Sequence, residues 1–69
     1  MPIVLKPEQV IKGLERNGFR FVKQRGCHRK YKKDARTVIV PMHYELAKGT
    51  LMSLLEQSGL TIDQITKYL

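Results

Sequence analysis

The residues of this sequence best suited to chemistry gather in one stretch, Lys23-Gln24-Arg25-Gly26-Cys27-His28-Arg29-Lys30-Tyr31-Lys32-Lys33, where six cationic side chains and a histidine surround a glycine with no acid among them. An imidazole has an ordinary pKa of roughly 6.5, which equips His28 as a general base or acid near neutrality. The cations beside it suit RNA as a substrate, because they hold phosphates and stabilise charge building on a scissile group while the imidazole moves a proton. Two plainer readings stand alongside. A single histidine in a basic strand also serves as a simple phosphate or base contact, and Lys and Arg side chains also make a solvated face. Against the second, seven of the thirteen basic residues fall between Lys23 and Arg36, which favours a binding surface.

Other reactive groups are few. His43 follows Pro41-Met42, and two histidines can in principle work as an acid and base pair, but a structural role in a loop is the expectation for His43. A metal site from Cys27, His28 and His43 is disfavoured, since adjacent strand residues diverge and four-ligand spacing is absent. No metal and no cofactor are therefore expected. The same divergence argues against Cys27 as a nucleophile activated by His28, leaving Cys27 as a small packing residue. Tyr31 and Tyr44 have the rings to stack on bases, with Tyr31 better suited to the core.

At 69 residues the chain makes one small domain, 1–69, in which any catalytic site and any binding surface share the same few elements. Its net charge of +7 is lopsided: residues 1–36 carry eleven basic residues and three acids, whereas residues 37–69 carry two and three. Such a field has nucleic acid or an acidic partner protein as its commonest targets. One cysteine permits no intrachain disulfide, so stability must come from a well-patterned core or a partner, and a reducing cytosol is the natural setting. The apolar start Met1-Pro2-Ile3-Val4-Leu5 is too short for a signal peptide, and no run nears the roughly 20 apolar residues of a membrane span. A soluble, unprocessed protein without a membrane partner is expected.

The elements that position the basic stretch are legible in outline. Pro7 suits a first helical position, Glu8 its positive end, and Val10, Ile11 and Leu14 an apolar stripe, with Asn17-Gly18 as the stop. Gly13 lies inside this helix and reads as a close-packing position. Phe19 and Phe21 alternate with Arg20 ahead of Val22 and Lys23, which predicts a half-buried strand, and Gln24-Arg25-Gly26 a turn. A second strand is expected from Cys27 to Lys33, a turn at Asp34-Ala35-Arg36, and a third strand over Thr37–Val40 ended by Pro41. Leu51, Met52, Leu54 and Leu55 recur at helical spacing up to Gly59. Thr61 with Gln64 forms a capping box for a short last helix with Ile62, Ile65 and Leu69 on its apolar side. The expected fold is α+β, in the order α-β-β-β-α plus a small terminal helix, with helices over one face of an antiparallel sheet. In the second strand, alternation groups Cys27, Arg29 and Lys33 with Tyr31 against the helices, and turns His28, Lys30 and Lys32 outward.

In order and spacing, Asn17-Gly18-Phe19, Gln24-Arg25-Gly26-Cys27-His28, Val40-Pro41-Met42-His43, Lys48-Gly49-Thr50-Leu51 and Ser58-Gly59-Leu60 resemble the HicA toxins of type II toxin–antitoxin systems. The resemblance runs from about Leu5 to Leu69. It implies a double-stranded-RNA-binding-like fold, cleavage of mRNA, and a HicB antitoxin that blocks the site. The histidine of the family's Gly-Ser-His falls on His28 and its glycine on Gly26, while Cys27 replaces the serine and loses a good hydroxyl hydrogen bond. Where the family commonly has glycine between strands two and three, this chain has Asp34-Ala35-Arg36. On this reading Lys23, Arg25, Gly26, Arg29, Lys30 and Lys32 hold RNA, and His28 is the catalyst. A non-catalytic RNA-binding module and a basic docking protein for an acidic partner are the alternatives.

Overall fold

Proline has no N–H to leave unpaired and a φ already suited to a helical turn. Pro7 opens α1, Pro7–Arg16, in the computed structural model, which describes residues 4–43 and 45–69. Glu8 occupies the first turn and Arg16 the last, each at the end of the helix dipole that favours its charge. Val10, Ile11 and Leu14 form the buried stripe. At the far end Asn17 Nδ2 donates to the Gly13 carbonyl at 2.7 Å and to the Gln64 carbonyl at 3.1 Å, tying α1 to the C-terminal segment.

Three strands follow, β1 Arg20–Arg25, β2 His28–Lys33 and β3 Arg36–Pro41, in a single antiparallel sheet of order β1-β2-β3. Both connections are two-residue turns, shorter than the sequence suggests. Arg25 belongs to β1 and pairs with His28 across a Gly26-Cys27 turn. The turn needs positive φ at its first position, and Gly26 supplies it at +58°. Arg36 opens β3 and pairs with Lys33 across Asp34-Ala35, where Asp34 takes φ 52°; after glycine, Asp is among the few residues that visit this region. β3 also runs through Pro41, as an edge strand permits.

α2, Lys48–Ser58, ends at Gly59, and α3, Ile62–Thr66, starts at the expected box: Thr61 Oγ1 accepts from the Gln64 N–H at 3.2 Å and Gln64 Oε1 from the Thr61 N–H at 2.8 Å. The helices cover one face of the sheet, where Tyr31, Val38 and Val40 meet Leu14, Leu51, Leu54 and Ile65, all buried. Gly13 is the close-packing position expected of it, since a Cβ built there would lie 2.6 Å from the Ile65 carbonyl oxygen and 2.8 Å from its Cα. The architecture is the expected α-β-β-β-α with a short C-terminal helix.

Burial is narrower than the apolar pattern implies. Met52 and Leu69 are each 56% exposed, and Leu69 lies beyond the end of α3. β1 is exposed along all six residues rather than half-buried; Phe19, just before it, is in the core, while Phe21 stands edge-on to Tyr31 at 5.8 Å. The reason is placement: the helices pack chiefly against β3, which leaves β1 as an uncovered edge. Cys27, expected as a packing residue, is exposed because it sits in the turn and not in β2. Among the described residues no helix is long and apolar enough to cross a membrane.

Candidate active site

Register decides which side chains meet. Tyr31 pairs with Val38 and Arg29 with Val40, and both partners are buried, so these residues mark the helix-covered face. His28 pairs with Pro41, Lys30 with Ile39 and Lys32 with Thr37, so alternation carries His28, Lys30 and Lys32 to the open face, as the sequence predicts.

β1 adds two cations to that face through an irregularity. Phe21 pairs with Tyr31 but the next pair is Lys23 with Lys30, so Val22 is an extra residue, a β-bulge. Unbroken alternation from Phe21 would carry Lys23 and Arg25 to the helix side. The extra residue reverses the phase, setting Lys23 opposite Lys30 and Arg25 opposite His28. Lys23, Arg25, His28, Lys30 and Ile39 together line a shallow concavity of about 320 Å³ with no acid in its lining.

The remaining cations of the stretch are placed differently. Lys32 lies further along the open face, opposite Arg20 and Thr37. Arg29 is on the helix-covered face, where its Nε donates to Gln24 Oε1 at 2.9 Å. Gln24 in turn donates from Nε2 to the Gly26 carbonyl at 2.9 Å, bracing the turn ahead of His28. Lys33 Nζ donates to the Asn17 carbonyl at 2.8 Å and stands 6.0 Å over the Phe19 ring, so this lysine fastens the sheet to the end of α1. Tyr31 is buried and unavailable for stacking; Tyr44 lies outside the described residues.

A second imidazole arrives that strand-by-strand reading leaves in a loop. The β2–β3 ladder continues one step past the strands, where the Met42 N–H donates to the Cys27 carbonyl. The next residue, His43, then falls beside His28, with ring centroids 6.5 Å apart and planes at 86°. Its signal in the sequence is the length of the Asp34-Ala35 turn: once Lys33 is paired with Arg36, counting outward pairs His28 with Pro41 and brings His43 next on the same side. Cys27 Sγ lies 3.9 Å from His28 Nδ1, a weak contact at most. Among the described residues no cluster of three or more His, Cys, Asp and Glu side chains forms that could hold a metal ion.

An exposed imidazole ringed by cations can bind a polyanion and move a proton at its backbone. No curated protein matches the chain. A family model described as the HicA toxin of bacterial toxin-antitoxin matches residues 7–60, which run from the start of α1 through α2 and include the whole sheet, both hairpin turns and His28. With that match over most of its length, the chain belongs to the HicA toxin family.

Proposed function

We propose that this toxin is an endoribonuclease that cuts mRNA, with His28 as general base or acid at the scissile phosphodiester and no metal in the reaction. The observation that carries the reading is the convergence of His28 with Lys23, Arg25 and Lys30 on the face of the sheet that the helices leave open. Phosphate contacts from these cations position the strand in a largely sequence-independent way, and a cation beside the scissile group stabilises charge in the transition state. Lys32 extends the same track, while Arg29 acts through Gln24 on the turn at Gly26 that leads into His28.

Family membership supports the toxin role and, through it, a HicB-like antitoxin as partner. An antitoxin that complements the positive face, or fills the His28 concavity, would silence the enzyme. The free toxin is then a monomer acting in the cytoplasm, where its mRNA substrate is, and the neutralised form a hetero-oligomer.

The test compares wild type with His28→Ala in RNA cleavage, RNA binding and growth arrest. The expected result is loss of cleavage by about 10²–10⁴-fold or more, loss of growth arrest, and RNA binding largely retained. Wild-type protein that binds RNA yet leaves it uncut, with and without added divalent metal, would establish a non-catalytic RNA-binding module instead.

A further inference from the structure

From the pairing of the two imidazoles we infer that His43 is a second catalytic residue, the proton donor to the leaving oxygen, working with His28 as proton acceptor; this rests on the ribonuclease reading. In-line displacement at a phosphodiester puts the attacking and leaving oxygens on opposite sides of phosphorus, so one proton has to be taken and another given at two separate points. Each transfer needs an imidazole nitrogen within about 2.6–3.2 Å of its oxygen. Two exposed rings with centroids 6.5 Å apart and planes at 86° can serve two oxygens of one phosphate from a common surface.

Backbone pairing leads up to both rings. His28 begins β2 and pairs with Pro41, and the backbone bond from Met42 to the Cys27 carbonyl fixes the chain just before His43. Their surroundings differ in charge. Lys23, Arg25 and Lys30 share a concavity with His28, and Cys27 adjoins it, whereas Lys6, Glu8 and Glu45 share a cleft with His43. The two rings thus open onto different stretches of one surface, as two separate proton transfers require.

In the reaction, a 2′-hydroxyl passes its proton to the His28 imidazole as its oxygen bonds to phosphorus. The bond from phosphorus to the 5′-oxygen breaks, and the His43 imidazolium protonates that oxygen. The products are a 2′,3′-cyclic phosphate and a 5′-hydroxyl, and proton exchange with water restores both rings.

The experiment uses RNA cut at a mapped bond and the same RNA with sulfur in place of the bridging 5′-oxygen at that bond, because a thiolate leaves without being protonated. His43→Ala and His43→Asn are expected to slow cleavage of ordinary RNA by about 10²–10⁴-fold while cutting the sulfur-bridged RNA within a few-fold of wild type. His28→Ala is expected to lose both. Equal losses on the two substrates, full activity on both, or failure of both His43 variants to fold would overturn the assignment. Wild-type protein inactive on every RNA overturns the ribonuclease reading itself, so the two failures are told apart.

Discussion

Replacing Gly13 by Ala sets two opposing effects against each other. Alanine is the better helix former by about 1 kcal/mol, and in isolation α1 gains that much. Against it, the new Cβ would sit 2.6 Å from the Ile65 carbonyl oxygen, 2.8 Å from its Cα and 2.9 Å from its Cγ2. Reaching the 3.4 Å at which ordinary contact begins requires α3 to retreat by about 0.8 Å, the difference from the 2.6 Å contact. Two of the three atoms are backbone, so no rotamer change relieves the clash. Retreat loosens Ile65, now 1% exposed, and stretches the 3.1 Å bond from Asn17 to the Gln64 carbonyl. Overpacking of this kind costs about 1–3 kcal/mol. With backbone in the way the upper part of that range applies, for a net loss of about 1–2 kcal/mol after the helix gain. In a domain of this size that lowers Tm by roughly 5–15 °C. Thermal unfolding followed by circular dichroism reads it, with Gly49→Ala as the control: Gly49 is in the first turn of α2 with nothing within 4 Å of an added Cβ, so its Tm should rise. A Tm for Gly13→Ala at or above wild type would refute the close-approach reasoning.

The salt dependence of binding to single-stranded RNA should fall by about 0.7 in the log–log slope for each of Lys23→Ala, Arg25→Ala and Lys30→Ala, and stay unchanged for Arg29→Ala. Fluorescence anisotropy across a salt series measures this, and an equal loss from Arg29 would refute a binding track confined to the open face. Asp34→Gly should raise stability by up to about 1 kcal/mol, seen as a higher melting temperature, because glycine holds φ 52° without the steric cost of a Cβ. A lower melting temperature would mean that the Asp34 side chain stabilises the turn more than its backbone strains it.

Period and caps made the helices legible: Pro7, the Thr61–Gln64 box and Gly59 mark ends that the structure keeps. Alternation around Tyr31 likewise separated His28, Lys30 and Lys32 from Arg29. What stayed hidden depended on the count of residues at two points. Val22 is an ordinary strand residue, and nothing in its type announces that it is the one left over, so the phase of Lys23 and Arg25 could not be read from Phe19 and Phe21. Taking Asp34-Ala35-Arg36 as the turn shifts the β3 register by one residue, which is enough to hide the approach of His43 to His28. Burial was overestimated along β1 because an amphipathic alternation says that a face is apolar, not that a helix lies over it.

The bulge at Val22 also bears on what can pair with the open edge of the sheet. β1 is an open sheet edge carrying exposed Phe21 and Val22, the kind of strand on which another copy can lay its own edge and begin an aggregate. An extra residue in the middle breaks the evenly spaced row of N–H and C=O groups that such an addition must match. Arg20, Lys23 and Arg25 on the same strand would then meet their own likenesses across the seam. One misfit residue thus makes β1 a poor template for self-association, while leaving its side chains free for a partner that brings negative charge.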